Sequence, residues 1–291
     1  MSKISFRFYK DHEVRAVWSE EENKWFFSAI DIVAAINNEE DYVKAGNYWR
    51  WSKKKLMSGG IQLVSATHEF KLIAPDGKKR KADVLDANGI EQLAKHIHNS
   101  KAMEFLDWLT YSENTLDGKS KQKAYELWES GILDTIEVGT TKGLQQIHAY
   151  IFGGLYDFAG QIRTATISKG GTIFCRAEYL HYNLEQIEQM PESTFDEIVD
   201  KYVEMNVAHP FMEGNGRSTR IWLDLILKAR LNKCVDWSKI NKNDYQQAMT
   251  QSVADSTYIK HLLTNALTDN TNDRELFMKG IDYSYYYEQE D

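Results

Sequence analysis

The chain has 291 residues, 35 Lys+Arg against 43 Asp+Glu for a formal net charge of −8, and 42% hydrophobic and 12% aromatic residues. That length points to two domains with a core each, and the composition excludes a collagen-like, disulfide-scaffold or wholly disordered chain and a uniformly basic nucleic-acid coat. Two cysteines, Cys175 and Cys234, make no disulfide framework, and the lack of a long apolar stretch or an N-terminal hydrophobic leader points to a cytoplasmic protein that does not engage a membrane.

Ile4, Phe6 and Phe8 alternate with Ser5 and Arg7, the period of a strand. Val14–Trp18 and Lys24–Phe27 predict a hairpin around Glu20–Asn23, after which Ser28 caps a helix through Ile36. Asp76-Gly77 predicts a turn between strands at Phe70–Ile73 and Lys81–Val84. Asp86–Trp108 reads as helix, broken near His98–Ser100. Residues 112–123 are the most polar stretch in mid-chain, so the boundary is placed there, with domains 1–112 and 113–291. Beyond it, Lys142–Phe152 carries a helical apolar face. Gln161–Ile167 and Thr172–Cys175 are β-prone around Ser168–Gly171, predicting one hairpin inside a helical domain. Phe195–Ala208 predicts a helix with Ile198, Val199, Tyr202 and Val203 inward, and Pro210 stops it near His209. The fold class is therefore an α+β N-terminal domain followed by a mostly α-helical domain with a β-hairpin.

The segment His209-Pro210-Phe211-Met212-Glu213-Gly214-Asn215-Gly216-Arg217-Ser218-Thr219-Arg220 precedes a strongly apolar helix. Gly214 and Gly216 permit backbone conformations closed to other residues, and with Asn215 they offer N–H groups to an anion at a helix N-terminus. Arg217 and Arg220 share a helix face and repel unless an anion lies between them; phosphate suits the guanidinium fork. Glu213 is a hard oxygen ligand suited to Mg²⁺ shared with phosphates, and His209 can take a proton near neutral pH. Base, metal ligand, nest and cationic clamp together equip a chain to transfer a phosphate-containing group to a hydroxyl.

This segment resembles the signature of the Fic family, His-x-Phe-x-(Asp/Glu)-Gly-Asn-Gly-Arg-x-x-Arg, at every fixed position. The likeness spreads over residues of about 120–291. Gly154–Arg163 looks like the family's Tyr-Asp-Trp-Ala-Gly-x-x-Arg stretch, with Phe158 for the usual Trp. The resemblance implies a Fic fold and an ATP- and Mg²⁺-dependent protein adenylyltransferase. It makes His209 the base, Phe211 the packing anchor of the nucleotide-binding loop and Glu213 the Mg²⁺ ligand. Gly214, Asn215 and Gly216 are assigned to the α- and β-phosphates, Arg217 to the β-phosphate region and Arg220 to the γ-phosphate. The hairpin is the family's flap, with Thr166, Ile167, Lys169, Gly170, Gly171 and Thr172 taking an extended segment of the target protein by strand addition. Gly216 stands where a kinase-like branch has Lys.

At the C-terminus Asp273 and Gly280 predict the start and end of a short helix, and Asp282 the cap of a second, over 282–289. Three consecutive tyrosines, Tyr285–Tyr287, argue that it is docked. It resembles the inhibitory helix of one Fic subgroup, (Ser/Thr)-x-x-x-Glu-(Gly/Asn), at Ser284 and Glu288; Gln289 departs from it. The likeness implies that Glu288 takes Arg220 in place of the γ-phosphate.

Residues 1–115 balance their charges, while residues 116–291 carry the whole acidic excess. The first domain nevertheless holds basic runs at Lys53–Lys55 and Lys78–Lys81 near Trp49 and Trp51, a pattern shared by phosphate-backbone binders and solvated turns. Val17-Trp18, Trp25–Val33, Lys71–Lys78 and Ala87–Gly89 resemble the N-terminal domain of phage antirepressor and Bro-type proteins. That likeness implies a DNA or target-docking module. The expected partners are ATP and an unidentified target protein, with DNA and a second copy of the chain as further candidates. The rival readings are a DNA-binding regulator with a silent Fic module and a Fic-fold enzyme that removes AMP or acts as a kinase-like transferase.

Overall fold

The computed structural model describes residues 4–58, 70–73, 78–97, 100–169 and 172–289. The chain divides into two compact units, Met1–Thr115 and Leu116–Glu290.

In the first unit β1 (Ile4–Tyr9), β2 (His12–Ser19) and β3 (Lys24–Ser28) pair antiparallel as the alternation predicts. Ser28 accepts from Asp31 N and so caps α1 (Ala29–Asn37). The helix α2 (Tyr42–Ser58) follows, a segment to which the sequence pattern assigned no element. Ala45, Trp49, Ser52 and Leu56 face inward at helical spacing, while Val43, Trp51 and Met57 are exposed alongside the lysines. Strands β4 (Phe70–Ile73) and β5 (Lys79–Ala82) form the expected hairpin, its Asp76-Gly77 turn outside the described residues. Val84 leaves that hairpin and, with Leu85, forms β6 on the edge of β3. Helices α3 (Ala87–Ile97) and α4 (Ser100–Ser112) complete the unit; the break expected between them falls on residues 98–99, outside the described set.

Both faces of the four-stranded sheet are covered, one by a cluster that includes Tyr9, Ala16, Phe27, Ile32 and Phe105, the other by Val17, Phe26, Leu72 and Val84. That is why β1 is buried along most of its length despite its alternation: Arg7 lies under Trp25 and Phe27 and reaches Glu113 at 2.5 Å.

The second unit is mostly helical. The polar stretch expected as a connector is largely helix: α5 (Leu116–Glu129) turns Ser120, Ala124 and Leu127 inward and leaves its charges outside. A 3₁₀ turn at Ile132–Thr135 leads to α6 (Thr141–Phe152), and the hairpin follows as β7 (Ser168–Lys169) and β8 (Thr172–Ile173). Next come α7 (Ala177–Gln189) and α8 (Phe195–Ala208), the latter opened by a capping box of Thr194 and Glu197. Ile198, Val199, Tyr202 and Val203 are buried as their spacing predicts. The central helix α9 (Asn215–Leu231) is followed by β9 (Cys234–Val235), a 3₁₀ turn at Trp237–Lys239, α10 (Lys242–Ser252), α11 (Thr257–Ala266) and β10 (Leu267–Thr268), which pairs with β9.

The C-terminus departs from expectation. A single helix, α12 (Arg274–Tyr286), runs straight through Gly280 and Asp282, capped at Asp273. Glycine costs a helix interior about 1 kcal/mol, but a Cβ at 280 would lie 3.2 Å from the Trp237 ring, so close packing offsets that cost. Asp282, expected as a cap, is buried and takes Tyr125 and Lys121 of α5. Among the described residues no helix is long and apolar enough to cross a membrane.

Candidate active site

Pro210 shapes the beginning of the site. Helix α8 ends at Ala208, and His209 turns left-handed, φ 49°. This carbonyl-rich bend is braced by Arg163, which the sequence reading quoted but gave no role. Buried in the fold, it donates from Nε to His209 O at 2.7 Å and from Nη2 to Ala208 O at 3.0 Å. The same guanidinium reaches Ala165 O at 2.7 Å and Cys175 O at 2.5 Å, tying the two ends of the hairpin segment to the bend.

His209 Nδ1 faces Asn206 O at 3.1 Å, so that nitrogen donates and Nε2 is the bare one. Phe174, at the end of the hairpin, stacks on the imidazole with centroids 3.7 Å apart. Burial, assisted by Arg163, pushes the His209 pKa down to about 4, against opposing pulls from Asn206, Glu288 and Glu213. At neutral pH the ring is therefore uncharged and able to accept a proton.

The loop after it is stapled from within. The Asn215 carboxamide accepts from Phe211 N and donates to Phe211 O, both at 2.8 Å, so this side chain holds the loop and only its N–H is left to serve a ligand. Phe211 is wholly buried and stacks on His148, with centroids 3.8 Å apart. It packs the loop, the anchor role that the resemblance gives it.

His148, on α6, is a second residue the sequence reading missed. Its Nδ1 accepts from Gly160 N at 2.8 Å and its Nε2 donates to Glu213 O at 2.9 Å, which fixes a neutral tautomer. Its only signal in the sequence is a polar residue on an apolar helix face. Burial pushes its pKa from 6.5 to about 4. Between those values the unfolded chain binds a proton that the folded chain refuses, so stability falls as pH drops from 6.5 to 4. This His148 contribution is about 3 kcal/mol. Urea unfolding of wild type and His148→Gln should show their stability difference shrinking by about that amount between pH 7 and pH 4. A difference that stays constant with pH would show that His148 is not the source.

The two glycines act for different reasons. Gly214 has φ 79°, and a Cβ there would lie 2.3 Å from the Phe152 ring. Gly216, expected to need unusual torsions, is ordinary helix; it is glycine for space, since a Cβ would fall 2.1 Å from Glu288 Oε1. Gly214 precedes α9, whose first-turn N–H groups have no intrahelical acceptors.

Arg217 and Arg220 are both buried. Arg217 Nη1 bonds Asp117 and Nη2 bonds Glu213 at 3.0 Å, with the guanidinium over Phe152 and Tyr285. Arg220 is enclosed by the C-terminal segment: Nε donates to Ser284 Oγ and Nη2 to Ser284 O, both at 2.7 Å, and Nη2 also to Glu288 Oε1 at 2.6 Å. Nη1 bonds Tyr245 OH at 3.1 Å. Burial opposes the charge on Arg220, but Tyr245 and Glu288 outweigh it and raise the pKa. Glu288 thus meets the arginine named for it, Ser284, for which no partner role was read, meets the same arginine, and Tyr285 and Tyr287 are buried as the tyrosine run suggested.

Glu213 is 54% exposed, with Oε1 on Arg217 and on Gly214 N at 3.0 Å. Among the described residues no cluster of three or more His, Cys, Asp or Glu can cage a metal. One open carboxylate does fit a cation shared with substrate phosphates, as Mg²⁺ commonly is.

In the hairpin, Lys169 and Thr172 pair across β7 and β8, while Gly170 and Gly171 lie outside the described residues. Ile167 O accepts from Phe174 N at 3.2 Å. Thr166 Oγ1 accepts from Ala177 N at 3.1 Å, so its hydroxyl serves the start of α7. In the first unit Trp49 is buried and donates to Asp83 at 2.7 Å, and Lys53 pairs with the same carboxylate at 2.8 Å; Trp51 is exposed, with Lys55 over its ring.

The sequence model of the Fic/DOC family matches residues 139–227, which include the whole loop from His209 to Arg220. The chain is 27% identical over 165 residues to the probable protein adenylyltransferase Fic of Escherichia coli K12, covering 51% of this chain and 82% of that protein. It is 26% identical over 168 residues to the protein adenylyltransferase VbhT of Bartonella schoenbuchensis, covering 53% of this chain and 34% of that protein. A solved structure of BepC from Bartonella tribocorum with bound AMPPNP aligns over 53% of this chain and 87% of its own, at 19% identity and TM-score 0.45. Residues 139–227 thus match the Fic/DOC family model, and the relatives that share about half of the chain are named protein adenylyltransferases. Residues 1–115 and helix α12 lie outside the family match.

Proposed function

We propose that the second unit transfers AMP from ATP to a hydroxyl of a target protein and is held in check by Glu288. The observation that carries the reading is the convergence, around one loop, of an uncharged His209 with a bare Nε2, an open Glu213 carboxylate and two buried arginines on α9.

His209 Nε2 takes the proton of the target hydroxyl as its oxygen bonds to the α-phosphorus. The bond from that phosphorus to the bridging oxygen breaks, and pyrophosphate leaves. The α9 N-terminus and Arg217 hold the phosphates while negative charge moves onto the leaving group. Glu213 is the residue to hold Mg²⁺, which when bound neutralises the phosphate charge. Glu288 occupies Arg220 where the γ-phosphate belongs, so the triphosphate cannot lie in line for attack. The pairing of Lys169 with Thr172 supports a hairpin that accepts a target segment as a further strand.

Donor labelling tests the reaction. With Mg²⁺ and a cell lysate as the source of target, ATP labelled on the α-phosphate marks protein and ATP labelled on the γ-phosphate does not. Marking by the γ-label alone would assign the site to phosphate transfer instead.

A further inference from the structure

Arg220 is not the only phosphate arginine already taken. Arg217 bonds Asp117, which belongs to the first turn of α5, a segment that reads in the sequence as polar connector. The Asp117 side chain is 62% exposed and that of Arg217 5%, so an open carboxylate covers a buried guanidinium. Glu213 takes Nη2, and Nε is buried without a hydrogen-bond partner among the described residues. Both terminal nitrogens are thus engaged by carboxylates, and an incoming phosphate has to displace one of them. Helix α5 is fixed in place: Ser120 accepts from Tyr285 OH at 3.0 Å, and Lys121 and Tyr125 hold Asp282.

We propose that Asp117 is a second built-in brake, a carboxylate that competes with the nucleotide for Arg217 as Glu288 competes for Arg220. This rests on the reading of both arginines as phosphate ligands. The two brakes differ in what they discriminate. Arg217 serves the β-phosphate region, which ADP and ATP share, so Asp117 lowers the affinity of both. Arg220 serves the γ-phosphate, so Glu288, which bonds Arg220, acts on ATP more than on ADP. Asp117 therefore sets how much nucleotide is needed, and Glu288 sets how the triphosphate lies.

Calorimetric titration of the full chain with ADP and with the β,γ-imido analogue of ATP tests this, in buffer without divalent cations so that any role towards a metal is silent. Asp117→Asn should tighten both ligands alike, by about two- to fivefold, the range for releasing an exposed ion pair. Asp117→Glu should return the wild-type affinity. Glu288→Gly should tighten the analogue more than ADP, whereas Asp117→Asn tightens the two alike. A general loosening of the fold does not tighten binding, so the direction of change separates a brake from a prop. Unchanged or weaker ADP binding by Asp117→Asn, with Arg217→Ala still losing ADP, would overturn the proposal and leave the phosphate reading intact. Wild-type ADP affinity in Arg217→Ala would overturn the phosphate reading itself.

Discussion

Glu288→Gly should raise the rate of AMP transfer by about ten- to a hundredfold. The carboxylate makes a charge-assisted bond to a guanidinium that is 2% exposed, and such bonds contribute about 1.5–3 kcal/mol. At about 1.4 kcal/mol per factor of ten, releasing Arg220 for a γ-phosphate gives that range. The variant removes the plug without undocking its helix. Asp282 is still held by Lys121 and Tyr125, and Tyr287 OH still donates to Trp237 O at 2.6 Å and Ile240 O at 2.9 Å. Arg220 keeps Ser284 and Tyr245, so the loss of stability is smaller than for a bare buried charge. The free protein should therefore be slightly less stable and the enzyme faster. Equal rates for variant and wild type would contradict the assigned role of Glu288.

His209→Ala should lower transfer by about 10²- to 10⁴-fold, the usual contribution of a positioned general base. Because the pKa of His209 lies at about 4, the rate of the wild type should be level above about pH 5 and fall below that as the ring takes a proton. The Arg163 brace engages the backbone carbonyls of residues 208 and 209, so it survives the substitution. Nucleotide affinity should change little, since His209 acts on the hydroxyl. A variant that transfers AMP at the wild-type rate would remove His209 from the mechanism.

Local rules made the loop readable. Pro210 stops α8 where it must, and the neighbouring glycines and arginines sit where chain spacing alone brings them together. The first strand followed from alternation and the next two from β-prone runs around a turn, and the tyrosine run at 285–287 announced a docked segment. What stayed hidden depends on partners distant in sequence. Helix α5 looked like a connector because its inward face is only Ser120, Ala124 and Leu127, and its value comes from α12, which it holds. Gly280 and Asp282 looked like a stop and a start because their reasons to continue the helix, Trp237 on one hand and Lys121 with Tyr125 on the other, lie elsewhere in the chain. Arg163 and His148 act on backbone carbonyls and amides, which no residue pattern displays. Gly216 was recognised as necessary for its torsions, whereas its need is the space taken by Glu288.

Base-catalysed adenylyl transfer restrained by Glu288 is tested most directly by one comparison. Label from α-labelled ATP is followed onto protein, with Mg²⁺ and lysate, for wild type, Glu288→Gly and the double variant Glu288→Gly/His209→Ala. Wild type should label weakly, Glu288→Gly strongly and the double variant not at all. Labelling that ignores Glu288, or that persists without His209, would contradict this mechanism.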